Sequence, residues 1–232
     1  MKHRPGPDPT FPYLNANDRY FFPAQETWNG DIIAVGGNLS PGMLLSAYEQ
    51  GLFPWYNPED PVIWQSPDPR CIIFPEGLHI SASMRKVLKK GEFETTFNRD
   101  FAGVIKACAE TDRKHPTDGQ PEGTGKTWIT DDIIAAYTEM HRLGFAHSAE
   151  AYSGGILSGG CYGILLGRAF FGESMFSRKS NASKAAFLTL AQLLFAAGIE
   201  FIDCQVPTDH LRSLGGVEIS RRKFLKLLKK EL

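Results

Sequence analysis

Phe170 to Lys184 reads FFGESMFSRKSNASK. The stretch brings together a carboxylate (Glu173), two small hydroxyls (Ser174, Ser177), the apolar pair Met175-Phe176 and two cations (Arg178, Lys179). A connecting loop is ordinarily polar throughout. A loop over Glu173–Arg178 that alternates apolar and polar groups is expected to form one wall of a small-molecule pocket. A helix follows at once over Ala182–Ala197, then a strand, Glu200–Gln205, that ends in IDCQ. Asp203 and Gln205 alternate on that strand and are expected on one face, close to the Phe170–Arg178 segment if the two strands are neighbours.

Upstream, Ala146–Tyr152, Ile156–Leu166 and Arg168–Glu173 read as a three-strand meander, with turns at Gly154-Gly155 and Gly167. Downstream come a short helix (Asp209–Leu214), a strand (Val217–Ile219) and a terminal helix from Arg221. Earlier in the chain, Ser81 opens a helix closed by Gly91, Asn98 opens another, and Thr130 with Asp131 and Asp132 opens a third that ends at Gly144. Thr111–Lys126 is rich in Pro, Gly and charge and reads as a flexible loop. The first seventy residues show one clear helix, capped by Ser40, begun at Pro41 and ended by Gly51, between irregular aromatic and proline-rich flanks. The fold expected is α+β: a small N-terminal domain over 1–70 and a larger domain over 71–232.

Composition narrows the function classes. The 232 residues are 42% apolar with a net charge of −1, so a nucleic-acid binder of this sequence must gather its cations locally. The four cysteines (Cys71, Cys108, Cys161, Cys204) show no CxxC spacing and the histidines no HExxH, so neither a metal nor a redox site is expected. Buried reduced thiols fit a cytoplasmic protein. The N-terminus lacks the apolar core of a secretory signal. The apolar run Ala185–Ile199, at about 1.5 Å per residue, falls short of a bilayer core of roughly 30 Å, so no membrane partner is expected.

GESMFSR, NASK and IDCQ resemble the signature of the leucyl/phenylalanyl-tRNA–protein transferases. The resemblance continues through AVGGNLSPGMLLSAYEQGLFPWY (Ala34–Tyr56), SPDPR (Ser66–Arg70), TWIT (Thr127–Thr130), AYTEMHRLGFAHSAE (Ala136–Glu150) and DHLRSLGG (Asp209–Gly216). It covers nearly the whole chain from about Asn29 onward. It implies a GNAT-like (N-acetyltransferase-like) C-terminal domain. It also implies transfer of Leu or Phe, with Met as a further donor, from aminoacyl-tRNA to the N-terminal Lys or Arg of proteins, marking them for degradation in the cytoplasm. No cofactor is implied beyond charged tRNA, and a monomer is expected.

The residues make chemical sense of that activity. A GNAT enzyme that binds acyl-CoA cradles the pyrophosphate on a glycine-rich loop. Here Glu173–Arg178 occupies that place, and no glycine stands between Gly172 and Gly198. A Leu or Phe side chain needs a closed apolar slot, for which Cys161, Phe170, Met175, Phe176 and Leu190 are candidates, with Ser177 or Ser174 at its edge. Plain core packing is the competing reading of Phe170 and Leu190. Trp55 and Trp128 are candidate platforms for a 3′ adenosine, with Tyr137 as a hydrogen-bonding companion. The resemblance implies this role for the two tryptophans, which otherwise read as glue between domains.

Ester aminolysis needs an oriented neutral amine more than a strong base. Gln205 can accept from the amine, Asp203 can orient that contact or take a proton, and Glu173 can hold the donor's ammonium. The acceptor's own Lys or Arg needs a carboxylate, for which Glu150, Asp203 and Glu173 all qualify.

Arg85, Lys86, Lys89 and Lys90 form a basic helix face that suits a polyanion and, by resemblance, the tRNA acceptor stem. The basic stretch Arg221–Lys230 reads instead as a packed terminal helix with a wet face. The chain departs from the family's usual pattern in having Ala82 for Arg, Gln65 and Tyr152 for Trp, and a longer segment over Thr111–Lys126. The rival functions are an acyl-CoA N-acetyltransferase and a non-catalytic RNA-binding module.

Overall fold

The computed structural model describes residues 5–111 and 127–232; the loop expected at Thr111–Lys126 lies, from residue 112 on, outside them. The first part of the chain is more ordered than its composition suggests. Strands β1 (Ile32–Val35), β2 (Phe53–Pro54) and β3 (Ile63–Gln65) form a small antiparallel sheet in the order β1-β3-β2. Strands this short, built on Pro and Trp, carry too little periodicity to be read from sequence. Helix α1 (Pro41–Glu49) begins at the expected proline, and Gly51 follows it at φ 83. Ser40 does not cap it through its side chain. Its hydroxyl donates instead to Asn38 Oδ1 (2.7 Å) and accepts from the Leu14 N–H (3.1 Å), which ties down the N-terminal segment.

The rest is built on a seven-stranded sheet. It contains β4 (Arg70–Ile73), β5 (Glu94–Phe97), β6 (Ala146–Ser153), β7 (Ile156–Leu166), β8 (Ala169–Ser177), β9 (Phe201–Gln205) and β10 (Val217–Ile219), in the order β10-β4-β9-β8-β7-β6-β5. All neighbours are antiparallel except β8 and β9. The meander, the helix after it and the parallel return strand bear out the expected α+β, GNAT-like arrangement. The sequence reading stops β8 at Glu173, but the strand runs on to Ser177 because the segment expected as a loop pairs with β7 as far as Gly159. The helix expected from Asn98 is capped by Asp100, whose carboxylate accepts from the Gly103 N–H (2.9 Å), and forms α3 (Phe101–Ala109). Asn98 sits at φ 55 and accepts from the Ser148 N–H.

Alternation along the strands divides the core into two layers. Tyr162, Ile164, Phe171 and Phe201 face α1, α3, α4 (Asp131–Arg142) and α7 (Arg221–Glu231). Cys161, Phe170, Ile202 and Cys204 face α2 (Ala82–Lys90) and α5 (Ala182–Ala196). The short helix α6 (Asp209–Ser213) follows β9. Among the described residues no helix is long and apolar enough to cross a membrane.

Candidate active site

β8 and β9 pair over only three positions, Ala169–Phe201, Phe170–Ile202 and Phe171–Asp203. β8 then continues to Ser177 alongside β7 while β9 ends at Gln205, so the two strands part. A cavity of about 350 Å³ occupies the gap. Its wall includes the apolar side chains of Cys161, Phe170, Met175, Phe187, Cys204 and Leu211. Phe170 can place its ring there because residue 163 is glycine. A Cβ at Gly163 would stand 2.6 Å from that ring and 2.2 Å from the Phe171 carbonyl.

The polar end is built around Glu173, whose carboxylate accepts three hydrogen bonds. Tyr48 of α1 donates to Oε1 (2.7 Å), Tyr137 of α4 to Oε2 (3.1 Å), and the Gln205 amide to Oε1 (3.3 Å). The two tyrosine hydroxyls also lie against each other, so their two protons are shared among three oxygen–oxygen contacts. Both tyrosines are fully buried, and burial beside the Glu173 charge raises both phenols well above their ordinary range. Desolvation pushes the Glu173 carboxyl up to about 7, against the lowering effect of the tyrosine hydrogen bonds. An ionised carboxylate offers about four acceptor directions, so one on Oε2 is left for a ligand.

Trp55 and Trp128 both line the cavity. Trp55 is held by its backbone: its N–H donates to the Ile63 carbonyl (2.9 Å), and its own carbonyl accepts from the Gln65 amide (2.8 Å). Gln65 thus anchors the loop that carries Trp55. Trp128 is nearly buried and precedes Thr130, whose hydroxyl caps α4.

The structure brings most of the sequence-derived candidates to one place but not all of them. Trp55, Trp128, Cys161, Phe170, Glu173, Ser174, Met175 and Gln205 line the cavity. Leu190 is buried in the α5 layer, away from the wall, and Phe187, one turn earlier on α5, takes the place expected for it. Ser177 accepts from the Ser183 N–H and donates to the Lys179 carbonyl, so it belongs to the start of α5. Phe176 points into the opposite layer. Tyr137 hydrogen-bonds Glu173 and is not part of the cavity wall.

Of the three carboxylates weighed for the acceptor's cation, only Glu173 reaches the cavity. Glu150 is fully buried and accepts from Thr96, Ser148 and the Asp100 N–H. Asp203 is fully buried, paired with Arg70, and accepts from the backbone of Gln205 instead of touching its amide.

Arg178 and Lys179 pair with Glu110 and Glu92 at the surface. Arg85, Lys86, Lys89 and Lys90 are all exposed on α2 and, among the described residues, enter no ion pair. α2 packs through Met84 into the same layer as Phe170 and Phe187.

Sequence reasoning missed Phe187, His210 and Leu211, which line the cavity, Tyr48, which hydrogen-bonds Glu173, and Arg70, which pairs with Asp203. Tyr48 hides in the apolar helix MLLSAYE, where it reads as core. Arg70 did leave a signal, because a charge heading the apolar run RCII must be either exposed or paired.

A family profile described as leucyl/phenylalanyl-tRNA protein transferase matches residues 72–229, and the profile of its N-terminal domain matches residues 37–68. A leucyl/phenylalanyl-tRNA–protein transferase of Syntrophobacter fumaroxidans is 49% identical over 218 residues, covering 94% of this chain and 90% of its own. Its counterpart in Hahella chejuensis is 46% identical over 227 residues, covering 97% and 92%. A solved structure of L-PGS from Bacillus licheniformis shows a loose likeness, with a TM-score of 0.42 at 12% identity over 70% of this chain and 64% of that one. Sequence similarity at this level along almost the full length leaves one assignment: the chain belongs to the leucyl/phenylalanyl-tRNA protein transferase family.

Proposed function

We propose that the protein transfers Leu or Phe, with Met as a further donor, from aminoacyl-tRNA to the N-terminal Lys or Arg of acceptor proteins. It acts as a cytoplasmic monomer, and the product is a degradation signal. The observation that carries this reading is the cavity between β8 and β9, which is lined by apolar side chains together with the hydrogen-bonded pair Glu173 and Gln205. A pyrophosphate needs a cradle of glycines, whereas an esterified amino acid needs an apolar slot beside a polar centre. The four cysteines, all buried and none in a disulfide, support a reducing compartment.

In this reading the donor side chain enters among Cys161, Phe170, Met175 and Phe187, and its adenosine rests on Trp55 or Trp128. The acceptor amine meets Glu173 Oε2 and the Gln205 amide oxygen. An α-amino group has a pKa of about 7.7–8.0, near enough to the carboxyl of Glu173 at about 7 for a proton to pass between them. The neutral amine attacks the ester carbonyl, a C–N bond forms, and the bond from that carbon to the ribose oxygen breaks. The amine's proton ends on the departing ribose oxygen. The exposed cations of α2 meet the acceptor stem.

The test mixes the protein with labelled Phe-tRNA and a peptide that begins with Arg, and repeats the reaction with Ala in first position. Label on the Arg peptide alone supports the reading. No label on the Arg peptide overturns it.

A further inference from the structure

Arg70 and Asp203 each have 0% side-chain exposure. The guanidinium of Arg70 lies between two rings, 5.0 Å from the centroid of Phe53 and 4.4 Å from that of Phe224. Each of its three nitrogens donates a hydrogen bond. Nε donates to Asp203 Oδ1 (2.9 Å), Nη2 to Asp203 Oδ2 (2.6 Å) and Nη1 to the Gly51 carbonyl (3.3 Å). One side chain therefore joins the end of α1, strand β2, helix α7 and strand β9. Apolar residues of similar volume can hold such elements together at least as well, because a buried ion pair must first be stripped of water. A charged pair at this depth points to a role beyond cohesion.

The next bond along shows that role. Asp203 Oδ1 also accepts the backbone N–H of Gln205 (3.0 Å). Gln205 has φ 56, a region that residues bearing a side chain rarely visit. Such strain persists only where the surroundings over-determine it, and it gathers at functional sites. The kink ends β9 and sends the Gln205 amide across the gap to Glu173. Both Asp203 oxygens face Arg70, and Oδ1 faces the Gln205 backbone as well, while the side chain reaches no part of the cavity wall.

We propose that Arg70 is a positioning residue of the transfer reaction. By clamping both oxygens of Asp203 it fixes the hydrogen bond to the Gln205 backbone and so aims the Gln205 amide at the attacking amine. Asp203 is then a strut and not the group that takes the substrate's proton. The inference rests on the reading above that Gln205 and Glu173 serve aminolysis. Lys cannot replace Arg here, because an ammonium has no planar fork for two oxygens.

The test compares the wild-type protein with Arg70→Lys and Arg70→Met in the Phe-tRNA and Arg-peptide assay. kcat and KM are measured separately per folded molecule, with folding followed by circular dichroism and Gln205 amide exchange by hydrogen–deuterium exchange. For Arg70→Lys, kcat is expected to fall about 100-fold while KM for either substrate moves less than about threefold, and the Gln205 amide exchanges faster. If Arg70→Met does not fold, Arg70→Lys decides. A merely structural Arg70 would lower the melting temperature and leave kcat per folded molecule unchanged. That result, or a raised KM at constant kcat, overturns the proposal. A wild-type protein that transfers nothing would instead overturn the enclosing reading.

Discussion

Gln205 Nε2 lies 3.3 Å from Glu173 Oε1, and this hydrogen bond crosses the gap where β9 and β8 have stopped pairing. The two strands are neighbours only as far as Phe171 and Asp203. Beyond that point the sheet opens, and side chains rather than backbone close the opening. A parallel pair held along its full length would leave no cavity.

Glu173 sets the first expectation, in pH. With its carboxyl at about 7, the reaction should speed up as pH rises through that value, and Glu173→Gln should remove this step and lower kcat/KM by about 100-fold or more. A profile of kcat/KM against pH for both proteins checks this.

The same group affects stability in the opposite direction. Its folded pKa is raised, so the stability it contributes is fully present below the ordinary carboxyl value of about 4.5 and is lost as pH rises through about 7. Denaturant melts should show Glu173→Gln gaining on the wild type between about pH 5 and about pH 8, by up to about 3 kcal/mol.

The donor slot should discriminate by volume. Cys161 is nearly buried and faces the cavity, so Cys161→Phe fills space that the donor ring needs. Competition between Phe-tRNA and Leu-tRNA should shift toward Leu by about 10-fold or more, the scale of a change in pocket size.

Stacking should appear in KM. Trp55→Ala and Trp128→Ala should each weaken binding of the aminoacyl-adenosine end by about 1–3 kcal/mol with little change in kcat, and Trp55→Phe should retain most of it. Steady-state kinetics with Phe-tRNA reads both.

For the tRNA body, Lys89→Ala together with Lys90→Ala should reduce the salt slope of binding by about 2, since each lost phosphate contact removes roughly one unit. Filter binding across a salt series measures it, and an unchanged slope removes α2 from the interface.

Much of this was legible in the sequence, for identifiable reasons. Helices announced by a cap and a stop, such as Ser81 with Gly91 or Thr130 with Gly144, stand where read. β7 matches its reading end to end because its turns are marked by glycine on both sides. The helix set at Asn98 starts instead at Asp100: both residues can cap, and the strand pairing of Phe97 with Ala149 pushes the helix start onward. β1 to β5 went unread, being short strands whose order comes from partners distant in the chain.

Within the site, residues that differ from their neighbours in kind stood out. Glu173 among aromatics, Gln205 at a strand end and Trp55 after a proline are of this sort. Phe187 and Leu190 did not, because α5 is apolar all round and its sequence gives no sign of which turn faces a cavity. Nor could any local pattern show that Asp203 belongs to Arg70, 133 positions away.

Aminoacyl transfer by this protein requires the gap between β8 and β9 to take an amino acid esterified to adenosine. A crystal soaked with a non-hydrolysable phenylalanyl-adenosine mimic of the puromycin type tests this most directly. The phenyl ring is expected among Cys161, Phe170, Met175 and Phe187, the base against Trp55 or Trp128, and the amide carbonyl within hydrogen-bond reach of Gln205. A mimic bound elsewhere, with the cavity filled by the protein's own side chains, would contradict it.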